Sequence, residues 1–523
     1  MALTQIACPE WTEYRDRSGL DPLGMQNGSI NLYQRLLPGI SNVTLRMRYY
    51  GLYAWLSLIN AEEGSRSTDS AEWRQLIRRS EALYVLAGVH NGDQTGVAGS
   101  RWAQAKLNSE SGRIAFAAHA DPNGEATPYL KQAYGAYGAA YGSQLFVTSV
   151  LAHSESHAIP VPSEEFGMPL AAAFATSIGD AANLFKKIVR KGSVTRSELD
   201  ALQPALPSQI GKRTAERQLY EDLLFATGRR REQDDLARRD TLLLLLQCAD
   251  HFEEDIQADD VRWLLYASAS PDGRLFSSGS ARLSQHQARW RVYQANDLLH
   301  YAYEGLLKFF LERLAGYPAG ATLAAMLDEC ASLVVAEMEF VPQTWGDFVS
   351  QAVPEANAST EDVRSERTLT SWDSMPGGDT GAFTAEHARN ALQLLATLTR
   401  RSEADLDTIE AELGTMSKEL SHSLSTELTF LAGLSDRNFV AAIIDILQKR
   451  IINRHLWVAH RKFRQGDYTF LIEADDGRVR LRSPSGPVFT NPRLSSALTF
   501  LRDIHLVDKN GLTASGRKLK SAS

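Results

Sequence analysis

Two histidines that could bind a metal ion lie close together, in the segment HSESH at residues 153–157. On a helix, His153 and His157 would share one face, and a pair with this spacing can ligate zinc. Glu155 follows the first histidine by only two residues and would lie on the opposite face, unlike the glutamate of the HExxH zinc motif. Because the segment runs into Ala-Ile-Pro, it is more typical of a polar helix end or loop. We therefore expect no metal and no other cofactor.

Acidic residues cluster in two places, and a metal-dependent nuclease or hydrolase needs two or three convergent carboxylates. The spacing in 251–260 is typical of a solvated helix end followed by a new helix start. The second cluster, Glu473, Asp475 and Asp476, lies at a predicted hairpin tip. Asp is common in turns for conformational reasons, without any catalytic role. The sequence contains neither GxSxG nor a phosphate-binding GxxxxGK[ST] or GxGxxG motif. A non-catalytic role is favoured, and a metal-dependent nuclease or hydrolase is the alternative.

Three arginines could bind an anion. Arg101 follows the glycine-rich loop 88–100, whose backbone N–H groups could face a phosphate. Arg46 and Arg48 lie among tyrosines and could hold a phosphate or a nucleobase. A surface loop at Arg101 and arginine stems that complete an aromatic core at Arg46 and Arg48 are the plainer interpretations. The plainer interpretations are favoured.

Charge is distributed unevenly along the 523 residues. The whole chain carries −8, but residues 443–523 contain 15 Lys and Arg against seven Asp and Glu, a net +8 that leaves −16 on the rest. A phosphate backbone would repel the acidic body and attract the basic end. We expect nucleic acid, with double-stranded DNA as first candidate, to bind at Arg454, Arg461, Lys462, Arg464, Arg493, Arg502, Lys509, Arg517 and Lys518. The alternative is that this C-terminal region, if it folds as a winged helix, binds protein. Its basic residues at a helix C-terminus would then only stabilise the negative end of the helix dipole.

The elements that position these residues are mainly helical. Apolar residues recur at helical spacing in 45–59 and 282–314, and Thr195 with Glu198 fits a capping box. The last 60 or so residues instead predict a hairpin, a helix, a short strand, a turn and a closing strand or helix start, the layout of a winged helix. The fold class is therefore mainly α, with multi-helix N-terminal and middle domains and a small α+β winged-helix-like C-terminal end. The predicted divisions are a helical domain 1–165, a helical domain 166–353, a polar linker or loop 354–380, a helical segment 381–465 and a winged-helix-like domain 466–523.

Composition excludes several classes of protein. With 44% hydrophobic and 23% charged residues, the chain is typical of globular proteins. No stretch of about 18 uncharged apolar residues is present, and the first residues lack the pattern of a secretory signal. The three cysteines, Cys8, Cys248 and Cys330, form no CxxC pair. We expect a cytoplasmic protein with reduced thiols and no membrane contact.

A short run near the N-terminus, LLPGISNVTLRMRYY, combines a Pro-Gly turn with paired arginines and tyrosines. Its residues are Leu36, Leu37, Pro38, Gly39, Ser41, Asn42, Thr44, Arg46, Arg48, Tyr49 and Tyr50. The surrounding stretch 29–56 resembles the N-terminal region of a group of uncharacterised bacterial proteins of phage-defence islands. The resemblance implies a prokaryotic accessory protein, one subunit of a multi-protein defence system, and it assigns no catalytic residue.

These observations lead to one expected function and two alternatives. We expect a non-catalytic subunit of a bacterial anti-phage system that binds nucleic acid through its basic C-terminal region. Its acidic helical body would contact the other subunits of the complex. The alternatives are a metal-dependent nuclease or hydrolase and a scaffold that binds only protein.

Overall fold

The computed structural model describes residues 21–121, 123–124, 126–154, 157–227, 232–352, 365–414, 422–464 and 467–522, apart from 64–69. The described chain is mainly helical, as the sequence predicts, and its strands are short. They pair in four antiparallel two-stranded sheets: Ile114–Ala115 with Ser193–Val194, Leu151–Ser154 with His157–Pro162, Ile472–Asp475 with Arg478–Leu481, and Val507–Asp508 with Gly511–Leu512.

The helices and strands follow one another in two halves of the chain. The first half contains α1 (Gln26–Leu36), α2 (Arg48–Glu63), α3 (Ser70–His90), α4 (Ser100–Ser109), β1 (Ile114–Ala115), α5 (Ala117–Ala120), a π-helix (Tyr137–Tyr141), α6 (Gly142–Val147), β2 (Leu151–Ser154), β3 (His157–Pro162), α7 (Gly167–Ile178), α8 (Ala181–Lys191), β4 (Ser193–Val194), α9 (Arg196–Ala201), 3-10 turns (Gln203–Ala205 and Pro207–Gln209), α10 (Ala215–Phe225) and α11 (Gln233–Phe252). The second half contains α12 (Ala258–Ala267), α13 (Ala281–Ala315), α14 (Leu323–Ala336), α15 (Trp345–Ala352), α16 (Glu366–Leu369), α17 (Ala385–Ser402), a 3-10 turn (Glu403–Asp405), α18 (Leu406–Leu413), α19 (Leu424–Ala432), α20 (Phe439–Ile446), a π-helix (Leu447–Ile452), α21 (Asn453–Phe463), β5 (Ile472–Asp475), β6 (Arg478–Leu481), α22 (Leu494–Asp503), β7 (Val507–Asp508), β8 (Gly511–Leu512) and α23 (Ala514–Ala522).

The chain divides into two compact units, each made of two stretches of sequence. The first unit comprises the chain up to Tyr33 together with Arg262–Asn491. The second unit comprises Gln34–Val261 together with Pro492–Ser523. Each unit therefore joins an early segment of the chain to a late one.

The core of the first unit is built around the long helix α13. The Ser280 hydroxyl caps this helix by accepting a hydrogen bond of 3.3 Å from the Leu283 N–H. Its apolar residues, among them Leu299, Ala302 and Leu306, are buried, and the helix packs against α14, α17 and α18. Burial on nearly every side explains why α13 also contains buried polar residues.

The core of the second unit forms where α2 packs on α7. Within it, the buried Glu81 carboxylate accepts hydrogen bonds from the Tyr53 hydroxyl at 2.8 Å and from the backbone N–H groups of Ala136 and Tyr137 at 2.7 and 2.8 Å. Burial nevertheless raises the pKa of Glu81, since it disfavours the charged form more than these bonds favour it. A buried carboxylate thus holds the π-helix against α2 and α3.

Several local predictions are confirmed by the structure. Thr195 and Glu198 form the predicted capping box at the start of α9. The predicted helix 282–314 corresponds to α13. Each of these signals is local in sequence, because capping and helical periodicity depend on neighbours within one or two turns.

The histidine segment forms neither the expected helix end nor a loop, since its described residues form the β2–β3 hairpin. Ser154 pairs with His157 in the antiparallel register, so the two histidines do not occupy successive turns of a helix. The His153 ring is exposed and stacks on Phe146 with centroids 4.3 Å apart. The His157 side chain lies outside the described residues.

Two of the predicted divisions, 354–380 and 466–523, can be compared with the described residues. Of the predicted linker 354–380, residues 354–364 lie outside the described chain. Residues 365–370 are buried or half-buried, and the Glu366 carboxylate accepts a hydrogen bond of 2.8 Å from the Tyr266 hydroxyl. Within the predicted 466–523 domain, β5 and β6 belong to the first unit, whereas α22, β7, β8 and α23 belong to the second.

Candidate nucleic-acid interface

Helix α21 directs three donors at the backbone carbonyls of the segment 21–23. Lys462 Nζ donates to the Asp21 oxygen at 2.9 Å, and Arg454 Nε donates to the Leu23 oxygen at 2.8 Å. Between them, His455 Nδ1 lies 3.2 Å from the Pro22 oxygen. Arg454 is only 5% exposed, and burial lowers the pKa of both Arg454 and Lys462. These two predicted nucleic-acid ligands therefore hold the first unit together.

The C-terminal end of α21 is different, because it combines cations with exposed aromatic rings. The Arg461 guanidinium lies 4.9 Å from the centre of the Trp457 ring, and Arg464 is exposed. Phe463 is 52% exposed and meets the Tyr468 ring edge-on at 5.9 Å. Cations beside aromatic faces can bind phosphates and stack on bases. Sequence reasoning missed the aromatic residues, although their interleaving with Arg and Lys was visible.

Two predicted ligands in the second unit are engaged in its packing. Arg493 Nη1 donates to the Ile40 carbonyl at 2.7 Å. Arg502 Nη2 donates to the Asp255 carboxylate at 2.7 Å and to the Ile256 carbonyl at 2.6 Å. Both guanidiniums therefore connect the C-terminal stretch of the second unit to its earlier stretch.

Helix α22, which the winged-helix interpretation would place in a DNA groove, exposes only a narrow face. Most of its residues are buried, namely Leu494, Ser496, Ala497, Leu498, Phe500 and Leu501. Ser495 is exposed, whereas Thr499 and Arg502 are half-buried. This helix is mainly a core element of the second unit.

Three predicted ligands are exposed near the C-terminus: Lys509 in the β7–β8 turn and Arg517 and Lys518 on α23. We call these three residues the C-terminal cations. Helix α23 contains no acidic residue. Carboxylates of the helix itself therefore do not neutralise Arg517 and Lys518, and Arg517 is exposed even though its Nη1 donates to the Leu512 carbonyl at 2.6 Å.

Backbone and side-chain contacts fix helix α23 within the second unit. The Thr513 hydroxyl accepts a hydrogen bond of 3.1 Å from the Gly516 N–H and donates to the His505 carbonyl at 2.8 Å. A side chain at Gly516 would collide with the Leu506 carbonyl oxygen, so only glycine permits this close packing. Lys520 also pairs with Asp250 at 2.5 Å. The helix therefore presents its cations from a fixed backbone.

The two arginines of the tyrosine-rich segment are part of the second unit's interior. Arg46 is 7% exposed and pairs with Asp93 at 3.1 Å and Asp503 at 3.0 Å. Arg48 is 0% exposed and pairs with Glu216 at 2.9 Å. Their carboxylate partners occupy the place that an anion would take, so both arginines stabilise the core.

Arg101 is exposed in the first turn of α4, directly after Gly99. Gly99 has a φ of 87°, which is a backbone conformation that favours glycine. The anion-binding role of Arg101 stays a prediction, because α4 supplies no second feature that points to a ligand.

Comparison with protein-family models, with curated proteins and with solved structures finds no match. Within the described part of the chain, none of the helices is both long and apolar enough to cross a membrane. The second unit therefore offers the C-terminal cations as a candidate interface. The first unit, taken by itself, offers the cationic and aromatic end of α21 as another.

Proposed function

We propose that the protein binds nucleic acid, with double-stranded DNA as the expected ligand, and that the C-terminal cations make the main phosphate contacts. The observation that carries this proposal is the exposure of Lys509, Arg517 and Lys518 on and beside a helix without acidic residues. Lysine and arginine bind phosphate mainly by charge, so exposed cations on a fixed backbone suit a sequence-independent contact.

The charge of the whole chain supports the same assignment. Residues 443–523 carry +8 within a chain of −8, so a polyanion is attracted to one end and repelled elsewhere. The order helix, strand, turn, strand in α22, β7 and β8 also agrees with a winged-helix-like end. Since α22 is mostly buried, the contact would be made by α23 and the β7–β8 turn.

The cellular role is proposed from the resemblance of residues 29–56 to bacterial proteins of phage-defence islands. In this role the protein is a non-catalytic, cytoplasmic subunit that brings nucleic acid to partner proteins, which contact its acidic helical body. Purification of the tagged full chain from phage-infected and uninfected cultures of its native host would identify such partners as proteins that co-purify with it.

The binding experiment compares two triple variants of the full-length chain by fluorescence anisotropy with labelled duplex DNA. The test variant replaces the three C-terminal cations with alanine. The control variant replaces Lys187, Lys212 and Arg213 with alanine. These residues are exposed in the second unit, and their replacement removes the same positive charge.

We expect the test variant to weaken binding about tenfold or more and to reduce the slope of log K against log salt by up to about 2.7, since each phosphate contact contributes about 0.9. The control variant should retain most of the slope of the natural protein. Equal losses in both variants would refute the assignment to the C-terminal cations.

The same assay separates the alternatives. Absence of binding at about 50 mM salt, where phosphate contacts are strong, would favour a scaffold that binds only protein. Cleavage of the DNA that depends on added Mg²⁺ or Mn²⁺ would favour a metal-dependent nuclease. Either result would overturn the proposed non-catalytic DNA-binding role.

A further inference from the structure

Three ionisable residues follow one face of α13 in the interior of the first unit. Asp297, His300 and Glu304 are spaced by three and four residues, so their side chains lie on the same side of the helix. His300 and Asp297 are 0% exposed and Glu304 is 2% exposed. Charged groups at this depth need a partner of opposite charge.

A fourth residue reaches this face from the segment that precedes α1. The Asp21 carboxylate accepts hydrogen bonds from the Met25 N–H at 3.1 Å and the Gln26 N–H at 3.2 Å, which fixes its orientation. Its backbone oxygen is held by Lys462, as described above. One side-chain atom each of Asp21, His300 and Glu304 lies within 4.8 Å of the others.

The polar atoms at the centre of this cluster lack hydrogen bonds. His300 Nε2 lies 2.8 Å from Glu304 Oε1 as an ion pair. Among the described residues, however, neither this oxygen nor either ring nitrogen of His300 makes a hydrogen bond of acceptable geometry. The other Glu304 oxygen accepts from the Val488 N–H at 3.1 Å, so Oε1 is the oxygen that remains available. Buried polar atoms are rarely left in this state without a ligand.

We propose that Asp21, His300 and Glu304 bind a divalent transition-metal ion through Asp21 and Glu304 oxygens and His300 Nε2. Neighbouring ligands of an octahedral ion with bonds of about 2.1 Å lie about 3 Å apart, close to the 2.8 Å between Nε2 and Oε1. Two carboxylates and a neutral imidazole balance a 2+ charge. Imidazole with carboxylates is a donor set suited to Zn²⁺, Mn²⁺ or Fe²⁺.

Asp297 fits the role of a positioning residue for His300. Its Oδ1 lies 3.8 Å from His300 Nδ1, while the same carboxylate accepts hydrogen bonds from the Thr490 N–H and hydroxyl, the latter at 2.9 Å. Metal-bound histidines commonly have a carboxylate near the nitrogen that does not bind the metal. Asp297 would in this way orient the imidazole without binding the ion.

The burial of the ligands indicates a structural ion. With His300 and Glu304 almost fully enclosed, a macromolecular substrate cannot reach the ion. The ion instead connects the segment around Asp21 to α13. The same segment is also held by α21, through hydrogen bonds from Lys462, His455 and Arg454. Its loss should therefore loosen this N-terminal segment.

The test measures metal in the full-length protein, purified without chelator, by inductively coupled plasma mass spectrometry. We expect about one equivalent of a first-row divalent metal per chain. After EDTA treatment, addition of Zn²⁺ or Mn²⁺ should raise the melting temperature by about 5 °C or more, because a ligand that binds only the folded state stabilises it. Co²⁺ should give visible absorption bands from its bound state.

Two variants locate the ion. Asp21→Asn changes the least buried ligand and should lower the metal content at least tenfold. Asp347→Asn is the matched control, since Asp347 is a carboxylate of the same unit that likewise accepts a backbone N–H hydrogen bond, from Thr344 at 3.0 Å, and this variant should retain the metal. If Asp21→Asn does not fold, the Co²⁺ spectrum and the shift in melting temperature of the natural protein still decide whether the protein binds a metal ion.

The proposal is overturned if the natural protein contains under a tenth of an equivalent and none of Zn²⁺, Mn²⁺ and Co²⁺ changes its melting temperature. Equal metal content in both variants would also refute it. The cluster would then be a buried imidazolium between carboxylates, held by charge alone.

Discussion

The buried ion pair between Arg48 and Glu216 allows a quantitative test of how the second unit is stabilised. Arg48 Nε and Nη2 donate to the two Glu216 oxygens at 2.9 and 3.0 Å. Arg48 Nη1 donates to the carbonyls of Pro204 at 2.6 Å and Leu206 at 2.7 Å. Both side chains are fully buried, and the Tyr220 hydroxyl donates to Glu216 at 2.9 Å. The guanidinium thus satisfies four acceptors at once.

Replacing Arg48 with Met leaves a buried carboxylate without its cation and two carbonyls without donors. Breaking a buried pair from one side costs about 3–5 kcal/mol, and each unpaired carbonyl adds to that cost. We therefore expect Arg48→Met to lower the free energy of unfolding by about 4 kcal/mol or more. Glu216→Gln should cost about 3 kcal/mol, because it leaves the guanidinium charge unpaired.

The double variant separates the pair from its surroundings. With both charges removed, mainly the carbonyls of Pro204 and Leu206 are left unpaired, at about 1 kcal/mol each. The double variant should therefore be about 3–5 kcal/mol more stable than the sum of the single losses predicts.

Urea unfolding of the full chain, monitored by circular dichroism, measures these losses. Arg101→Met is the control, since Arg101 is exposed, and we expect a change within about 0.5 kcal/mol. A loss below about 1 kcal/mol for Arg48→Met, or additive losses in the double variant, would refute the interpretation of Arg48 as a core residue.

Two further predictions concern pH and packing. Burial, together with repulsion from Arg289 and Arg282, lowers the pKa of His286 to about 3 from the ordinary 6.5. As pH falls, the unfolded chain binds the proton before the folded chain does. The stability that the neutral, buried His286 contributes is therefore fully present above pH 6.5 and is lost at about 1.4 kcal/mol per pH unit as pH falls toward 3. The melting temperature of His286→Gln should fall less between neutral and acidic pH than that of the natural protein; an identical fall would contradict this. Gly51→Ala should lower the melting temperature, because its methyl group would collide with the Tyr220 hydroxyl and lie 3.0 Å from Phe174, which outweighs the gain of about 1 kcal/mol in helix propensity. Gly112→Ala, which meets open space, should not lower it.

The elements of this protein were largely predictable because their signals are local. The helical spacing of α13 and the capping box at Thr195 each depend on residues within a few turns. The hairpin of β5 and β6 was also visible in alternating residues around a turn. The β2–β3 hairpin was missed, since the segment 153–157 was interpreted as a polar helix end or loop, while pairing with a second strand decided the conformation.

The sequence by itself determined the mainly helical class and the concentration of positive charge at the C-terminal end. Only the tertiary structure decided which cations are accessible: Arg454 is buried and bonds to Leu23, whereas Lys518 is exposed. It also brought Asp21 to His300, two residues that are far apart in the chain. The physical reason is that burial and convergence depend on packing between distant segments, whereas helix and turn preferences act between neighbours.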